Sequence, residues 1–232
     1  MASVQEHLEE LRTLFDTVAD NQKKIWMEAY MRNQYSFFGV PAPVRKKIQK
    51  YWFDQIFKIE SELSVPELIR ALFQLDQREF HYVAVDLLDK CAHAMSDTQM
   101  QITLQECITT KSWWDTVDVL ATSVTAKWLY GNKYKQISIA GRWAESDHIW
   151  LRRTAILHQI RYRSDTDFEL LTHLILQSAH IKNFFIQKAI GWALREYSKT
   201  NPSWVTTFVQ IHEDRLSPLA RREASKWLMR QS

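Results

Sequence analysis

Hydrophobic residues recur every three to four positions along most of the chain, which is the spacing of one face of an α-helix. Residues 164–180 (SDTDFELLTHLILQSAH) and 201–213 (NPSWVTTFVQIHE) show it, and each begins with polar residues that favour a helix start. No segment sustains the two-residue alternation of a half-buried strand. Glycine and proline, which interrupt helices, number only 4 and 5. The pattern therefore predicts an all-α chain.

The predicted helices recur in pairs. Aligning the second helix of each pair on Phe80, Trp114, Trp150, Phe185 and Pro218 gives intervals of 34, 36, 35 and 33 residues. Such a period is typical of an α-solenoid, in which each pair buries one face against its neighbours. We expect HEAT-like helix pairs, because the glycine and tyrosine signature of tetratricopeptide repeats, which share this period, is missing.

The second helices are expected to line the concave face of a single repeat domain over residues 1–232. They fall near residues 80–90, 113–129, 148–161, 183–199 and 217–230. Charge is unevenly distributed over this domain. Residues 1–110 contain 12 Lys and Arg against 16 Asp and Glu, whereas residues 111–232 contain 18 against 11. A basic C-terminal half favours a polyanionic partner.

Several classes of site and location are excluded or disfavoured by composition. The chain lacks the glycine-rich loops that cradle nucleotide phosphates, so no cofactor is expected. Cys91 and Cys107 are too far apart for a zinc knuckle, and the histidines form no metal-binding motif, so no metal is expected. No run of 18 apolar residues occurs, and the first residues resemble an amphipathic helix rather than a signal peptide. We therefore expect a cytoplasmic, monomeric protein without a membrane segment.

The octet KSWWDTVD, residues 111–118, places two tryptophans beside carboxylates. On a helix, Trp113 shares the apolar face of Val117, whereas Trp114 shares the adjacent face with Asp118. Trp113 is therefore predicted to face the core. Trp114 and Asp118 are left as a candidate site.

A second tryptophan lies on a basic stripe in residues 188–199. Lys188, Trp192 and Arg195 share one helix face, and Gly191 between them predicts a close approach by another element. A tryptophan among cations can stack on bases or sugars while the cations hold phosphates. Further along the chain Arg222 and Lys226 share a face and are candidates for contact with the DNA backbone.

Arg153 interrupts an apolar helix face, where an unpaired guanidinium would be costly. Two partners remain open at this stage: an intramolecular carboxylate or a ligand anion such as phosphate.

A carboxylate and two indoles suit one particular reaction. A purine alkylated at N3 or N7 is already cationic, so it can leave its sugar without the general acid that ordinary glycoside hydrolysis requires. A carboxylate would stabilise the oxocarbenium-like sugar, and indole faces would favour the cation.

Four long segments resemble the bacterial DNA-alkylation repair glycosylases of the AlkD type, which are built from HEAT-like repeats. They are AYMRNQYSFFGVPAPVRK (29–46), TKSWWDTVD (110–118), DHIWLRRTAIL (147–157) and FFIQKAIGWALREYSKTNP (184–202). The resemblance spans almost the whole chain. It implies excision of cationic N3- and N7-alkylpurines, such as 3-methyladenine and 7-methylguanine, from double-stranded DNA. The family uses no metal and does not flip the damaged base.

The resemblance also implies roles for individual residues. Asp118 matches the catalytic aspartate, and Trp114 and Trp192 match the paired active-site tryptophans. Arg153 matches an arginine near a backbone phosphate, and Tyr30 matches an N-terminal tyrosine at the DNA cleft. The residue types agree at all five positions.

Three functions follow as alternatives. The leading one is a monofunctional DNA glycosylase of base excision repair that leaves an abasic site without strand cleavage. The second is a non-catalytic DNA-binding solenoid that recognises distorted or branched DNA, with Asp118 in a structural role and paired to Arg153. The third is a protein-interaction scaffold, which leaves the tryptophans, the acid and the arginine without a purpose.

Overall fold

The structure, a computed structural model, describes residues 3–59 and 64–230. These residues are mainly α-helical and contain no β-strand, only an isolated bridge between Ser36 and Gln77. The all-α prediction is confirmed. The chain divides into two compact units, Met1–Thr110 and Lys111–Ser232. A single domain over the whole chain, with a concave DNA-binding face, stays a prediction.

The first unit contains six helices among its described residues. Helix α1 packs against α3 and α4, and α4 packs against α5 and α6. The helices are α1 (Val4–Asp16), α2 (Asn21–Tyr30), α3 (Ala42–Ile59), α4 (Val65–Gln74), α5 (Arg78–Cys91) and α6 (Asp97–Thr109).

A buried carboxylate fixes the segment that precedes α3. Glu79 accepts hydrogen bonds from the backbone N–H groups of Phe38, Gly39 and Val40, at 3.0–3.1 Å. Gly39 adopts φ +85°, and a Cβ there would lie 2.1 Å from the carbonyl oxygen of Asp20. Only glycine fits this turn.

The second unit contains eight α-helices among its described residues. The second helices of the pairs pack on one another in the order α7, α10, α12, α14, and α9 packs against both α10 and α11. The helices are α7 (Trp114–Val119), α8 (Ala126–Leu129), α9 (Lys133–Glu145), α10 (Ile149–Leu157), α11 (Phe168–Ser178), α12 (Phe184–Ser198), α13 (Pro202–Ile211) and α14 (Pro218–Ser225).

Side-chain caps mark where these helices begin. In five of them an Asn, Asp or Ser just before the first turn accepts a hydrogen bond from a backbone N–H that has no partner inside the helix. Proline occupies the first position of α13 and α14, where its missing N–H costs nothing. The caps are Asn132, Asp167, Asn183, Asn201 and Ser217.

The second helices differ from the predicted ranges in three places. A π-helical turn, Leu120–Thr125, separates α7 from α8. Five of its six residues are buried, including the polar Thr122 and Thr125, so polarity does not mark a solvent-facing side of the helix there. Helix α10 ends at Leu157 because the Gln159 amide both donates to and accepts from the Asp167 backbone, which turns the chain. Helix α14 ends at Ser225 and is followed by a short 3-10 turn.

Candidate active site and basic cluster

The two adjacent tryptophans lie in different surroundings. Trp113 precedes α7 in an extended conformation, and its ring packs against Trp150 and Phe185, with centroids 5.9 and 5.1 Å apart. Trp114 is the first residue of α7 and is half-buried. Asp118 follows one helical turn later, on the side of α7 that Trp114 shares. Trp113 is half-buried as well, so the two indoles differ in their place relative to α7 rather than in their degree of exposure.

Asp118 and Arg153 form an ion pair in which both carboxylate oxygens are bound. Nε of Arg153 lies 2.7 Å from Oδ1, and Nη2 lies 2.8 Å from Oδ2. Nη1 of Arg153 donates to the carbonyl oxygen of Phe185, at the start of α12. The Arg153 side chain is 6% exposed and that of Asp118 is 19% exposed. The pair therefore joins α7, α10 and α12, and part of the Asp118 side chain stays accessible.

The partner of Arg153, left open by the sequence, is an intramolecular carboxylate. A guanidinium has five N–H groups, and three are engaged by Asp118 and Phe185 among the described residues. The expected contact between Arg153 and a DNA phosphate stays a prediction. It would use the two remaining N–H groups or require the pair to open.

Arg152, the neighbour of Arg153, has a purely structural environment. Its guanidinium donates to the backbone carbonyls of Ala144, Glu145 and Ser146, which end α9, and to that of Gln177. A cation at a helix C-terminus satisfies carbonyls that lack helical partners. Two adjacent buried arginines therefore differ in role: among the described residues, Arg153 reaches a side-chain carboxylate and Arg152 reaches backbone carbonyls.

Three of the predicted DNA-binding cations converge on a carboxylate that the sequence analysis did not single out. Glu223 accepts from Lys188 Nζ at 3.0 Å, Arg195 Nη1 at 3.0 Å and Lys226 Nζ at 2.6 Å. Its side chain is 4% exposed, whereas those of the three cations are 37%, 28% and 45% exposed. Burial alone would raise the pKa of Glu223, but the hydrogen bonds and charges of Lys226 and Lys188 lower it to about 2. We call these four residues the Glu223 cluster.

Gly191 allows the helix contact that positions this cluster. A Cβ at Gly191 would lie 2.3 Å from the Glu223 Cβ and 2.9 Å from the Ala220 carbonyl oxygen. Helices α12 and α14 therefore touch at this point, which confirms the close approach that the mid-helix glycine predicted.

The sequence contained a signal that could have identified Glu223. It is the one acid in LARREASKWLMR (219–230), three residues before Lys226.

Two of the remaining predicted residues are neighbours of the Glu223 cluster in the chain, and the third, Tyr30, belongs to the first unit. Trp192 is half-buried on α12, between Lys188 and Arg195 in sequence, and packs against the core of the second unit. Arg222 is exposed on α14 next to Glu223. Tyr30, in the first unit, is 58% exposed and its ring stacks on Trp26 at 5.6 Å.

Neither a metal site nor a membrane helix is found in the described part of the chain. No group of three His, Cys, Asp or Glu residues there has the arrangement of a metal site. Cys91 and Cys107 are free and buried. None of the described helices is both long and apolar enough to cross a bilayer.

The sequence profile of one protein family, described as "DNA alkylation repair enzyme", matches residues 11–228. The chain belongs to the DNA alkylation repair enzyme family. This confirms the resemblance drawn from its segments. None of the curated proteins compared with the chain matches it.

Solved structures of similar fold include one at substantial identity. A protein from Enterococcus faecalis, described as a predicted DNA alkylation repair enzyme, is 34% identical over 90% of this chain and 96% of its own, with a TM-score of 0.82. Two Streptococcus mutans structures, described as AlkD2 and smu.31, are each 19% identical with a TM-score of 0.58. They cover 78% and 80% of this chain and 89% and 96% of their own. At that identity these two show the fold alone.

Proposed function

We propose that this member of the DNA alkylation repair family is a monofunctional DNA glycosylase. It hydrolyses the N-glycosidic bond of cationic N3- and N7-alkylpurines, such as 3-methyladenine and 7-methylguanine, in duplex DNA. It acts as a cytoplasmic monomer in base excision repair, without metal or cofactor. It neither flips the damaged base nor cleaves the strand.

The proposed reaction breaks the bond between C1′ of the sugar and the purine nitrogen. The electron pair of that bond goes to the purine, which leaves as a neutral base because it was cationic before. Water adds to C1′ and loses a proton, which yields an abasic site. Asp118 stabilises the positive charge that develops on the sugar, and Trp114 and Trp192 favour the cationic nucleotide through their ring faces.

The observation that carries this proposal is the environment of Asp118. Its carboxylate is held at both oxygens by Arg153, yet the side chain remains 19% exposed, one turn after a half-buried tryptophan. A carboxylate oriented in advance stabilises developing charge without reorganising during the reaction. Because the purine leaves as a neutral molecule, the reaction needs no second carboxylate to act as general acid.

The proposed DNA contacts come mainly from the basic second unit, the half of the chain with excess Lys and Arg. Phosphate contacts from such residues supply most of the sequence-independent affinity of DNA-binding proteins. We assign this role to Tyr30, Arg153, Lys188, Arg195, Arg222 and Lys226.

The test compares wild type with Asp118→Asn on methylated duplex DNA. We expect wild type to release 7-methylguanine and 3-methyladenine and to leave the strand intact until it is treated with alkali. Loss of the charge at Asp118 is expected to slow release by about 100- to 1000-fold. Asp115→Asn, on the same helix and with the same charge change, serves as control and should retain activity. Equal rates for wild type and Asp118→Asn would remove Asp118 from the mechanism.

One observation favours the non-catalytic alternative, a solenoid that recognises distorted DNA. The bidentate pair with Arg153 is what a structural role for Asp118 predicts. The two functions differ in product: a DNA-binding solenoid would release no base at any protein concentration, while binding DNA with a steep salt dependence.

A further inference from the structure

We propose that Glu223 is a positioning residue that gathers Lys188, Arg195 and Lys226 into a preformed site for a single DNA phosphate. This inference rests on the proposed function in one respect, that the ligand is DNA. It differs from the simplest interpretation of the basic stripe, in which each cation would bind a separate phosphate.

The distances between the cations are limited by their shared partner. Lys188 and Lys226 both bind Oε1 of Glu223, at 3.0 and 2.6 Å, and Arg195 binds Oε2 at 3.0 Å. Because the two ammonium groups contact the same oxygen atom, their nitrogens lie within about 6 Å of each other. Three positive groups this close are held together by one negative charge.

The cluster retains donors for a second anion. A lysine ammonium has three N–H groups and a guanidinium has five, and Glu223 engages one donor nitrogen of each cation. The Glu223 side chain is 4% exposed while those of the cations are 28–45% exposed, so the accessible part of the cluster belongs to the cations. Three cations and one carboxylate leave a net charge of +2, which favours a phosphodiester on the open side.

Close packing of α12 against α14 fixes the Cβ from which the carboxylate extends. The Cα of Gly191 approaches so closely that a Cβ there would lie 2.3 Å from the Glu223 Cβ. Ala220 and Ala224, on either side of Glu223 in α14, are fully buried. Trp192 follows Gly191 directly, so the same helix contact fixes both the proposed phosphate site and a tryptophan assigned to the lesion. A ligand that contacts both would be held in one register.

The first experiment measures the salt dependence of binding to undamaged duplex DNA by fluorescence anisotropy. Wild type is compared with the triple variant Lys188→Ala, Arg195→Ala, Lys226→Ala. A single shared phosphate predicts that the slope of log K against log salt becomes shallower by about 0.9. Three separate phosphates would change it by about 2.7. An unchanged slope, a change of about 1.8 or more, or the absence of DNA binding by wild type would overturn the proposal.

The second experiment uses Glu223→Gln, which removes a negative charge and would strengthen DNA binding if charge alone mattered. If Glu223 organises the cations, binding should instead weaken by about tenfold, the order expected for one lost phosphate contact. Glu213→Gln, which makes the same charge change at a 70% exposed side chain paired with Arg221, is the control and should not weaken binding. Equal or tighter binding by Glu223→Gln contradicts the proposal. If that variant does not fold, the salt slope of the triple variant decides. Both measurements use binding alone, so a failure of base release would not be confused with a failure here.

Discussion

Arg153 holds both carboxylate oxygens of Asp118 with two nitrogens of one guanidinium, at 2.7 and 2.8 Å. The pair lies where α7, α10 and α12 meet, because the third engaged nitrogen binds the Phe185 carbonyl. A bidentate contact of this kind fixes the orientation of the carboxylate and also strengthens the ion pair. The same bond that orients the proposed catalytic carboxylate also stabilises the packing of the second unit.

This double role predicts that stability and catalysis respond differently to changes in the pair. Arg153→Met leaves a mostly buried carboxylate without its partner and should lower the free energy of unfolding by about 2–4 kcal/mol. Asp118→Asn should lower the free energy of unfolding less than Arg153→Met does, because the amide oxygen still accepts from Arg153. The rate of base release should nevertheless fall further in Asp118→Asn than in Arg153→Met. Urea unfolding of both single variants and the double variant measures the coupling. Strictly additive losses would show that the two side chains do not depend on each other.

For Gly191→Ala, the contact between α12 and α14 predicts a loss of stability, the opposite of the usual effect of replacing glycine by alanine in a helix. Alanine in place of glycine within a helix normally adds about 1 kcal/mol of stability. At Gly191 the new Cβ would overlap the Glu223 Cβ and the Ala220 carbonyl, so Gly191→Ala should instead destabilise by about 1–3 kcal/mol. Gly141→Ala is the matched control, since Gly141 lies within α9 and a Cβ there meets nothing within 4 Å. In thermal unfolding measurements, the Tm of Gly191→Ala should be lower than that of wild type, and the Tm of Gly141→Ala should be equal or higher.

The helices were predictable because each buries one face, so apolar residues recur along the sequence at helical spacing. The anchors Phe80 and Trp150 are buried, and the glycine among basic residues marked a true close approach. The π-helical turn after α7 was not predictable. Two of its polar residues, Thr122 and Thr125, are buried, so the order of polar and apolar positions does not indicate which side faces solvent or where the pitch changes.

The sequence indicated which residues belong to the candidate site better than it indicated which of them are paired with each other. Spacing along α7 placed Trp114 beside Asp118, but it could not choose between a carboxylate and a phosphate as the partner of Arg153. That choice depends on which helix packs next to α10. Glu223 was missed for the same reason, because two of its three cations, Lys188 and Arg195, come from α12, about 30 residues away in the chain.

His158 should make the protein less stable in mildly acidic solution. The ring is fully buried, and burial lowers the pKa of His158 to about 4 from an ordinary 6.5. Between these values the unfolded chain binds the proton and the folded chain does not, so stability falls as the pH falls from 6.5 towards 4, by up to about 3 kcal/mol. Above pH 6.5 this residue causes no change.

The check for His158 is urea unfolding at several pH values between 4 and 7. His158→Gln cannot titrate in this range, so its stability should change less with pH than that of wild type. His180→Gln, at an exposed position, should follow the wild-type profile. Parallel profiles for wild type and His158→Gln would contradict the assignment.

Glu223 should produce a second acid transition at lower pH. Its pKa is lowered from 4.5 to about 2 in the folded protein, since the charges of Lys188 and Lys226 outweigh its burial. The stability that this carboxylate contributes is present above pH 4.5 and is lost as the pH falls towards 2. The shift corresponds to about 3 kcal/mol. Glu223→Gln should therefore be less stable than wild type at pH 6, and the difference should shrink steadily as the pH approaches 2. Glu213→Gln is the control, because the Glu213 side chain is exposed, and its stability relative to wild type should not depend on pH in this way. If the stability difference between Glu223→Gln and wild type stays constant with pH, the cluster does not depend on the charge of the carboxylate.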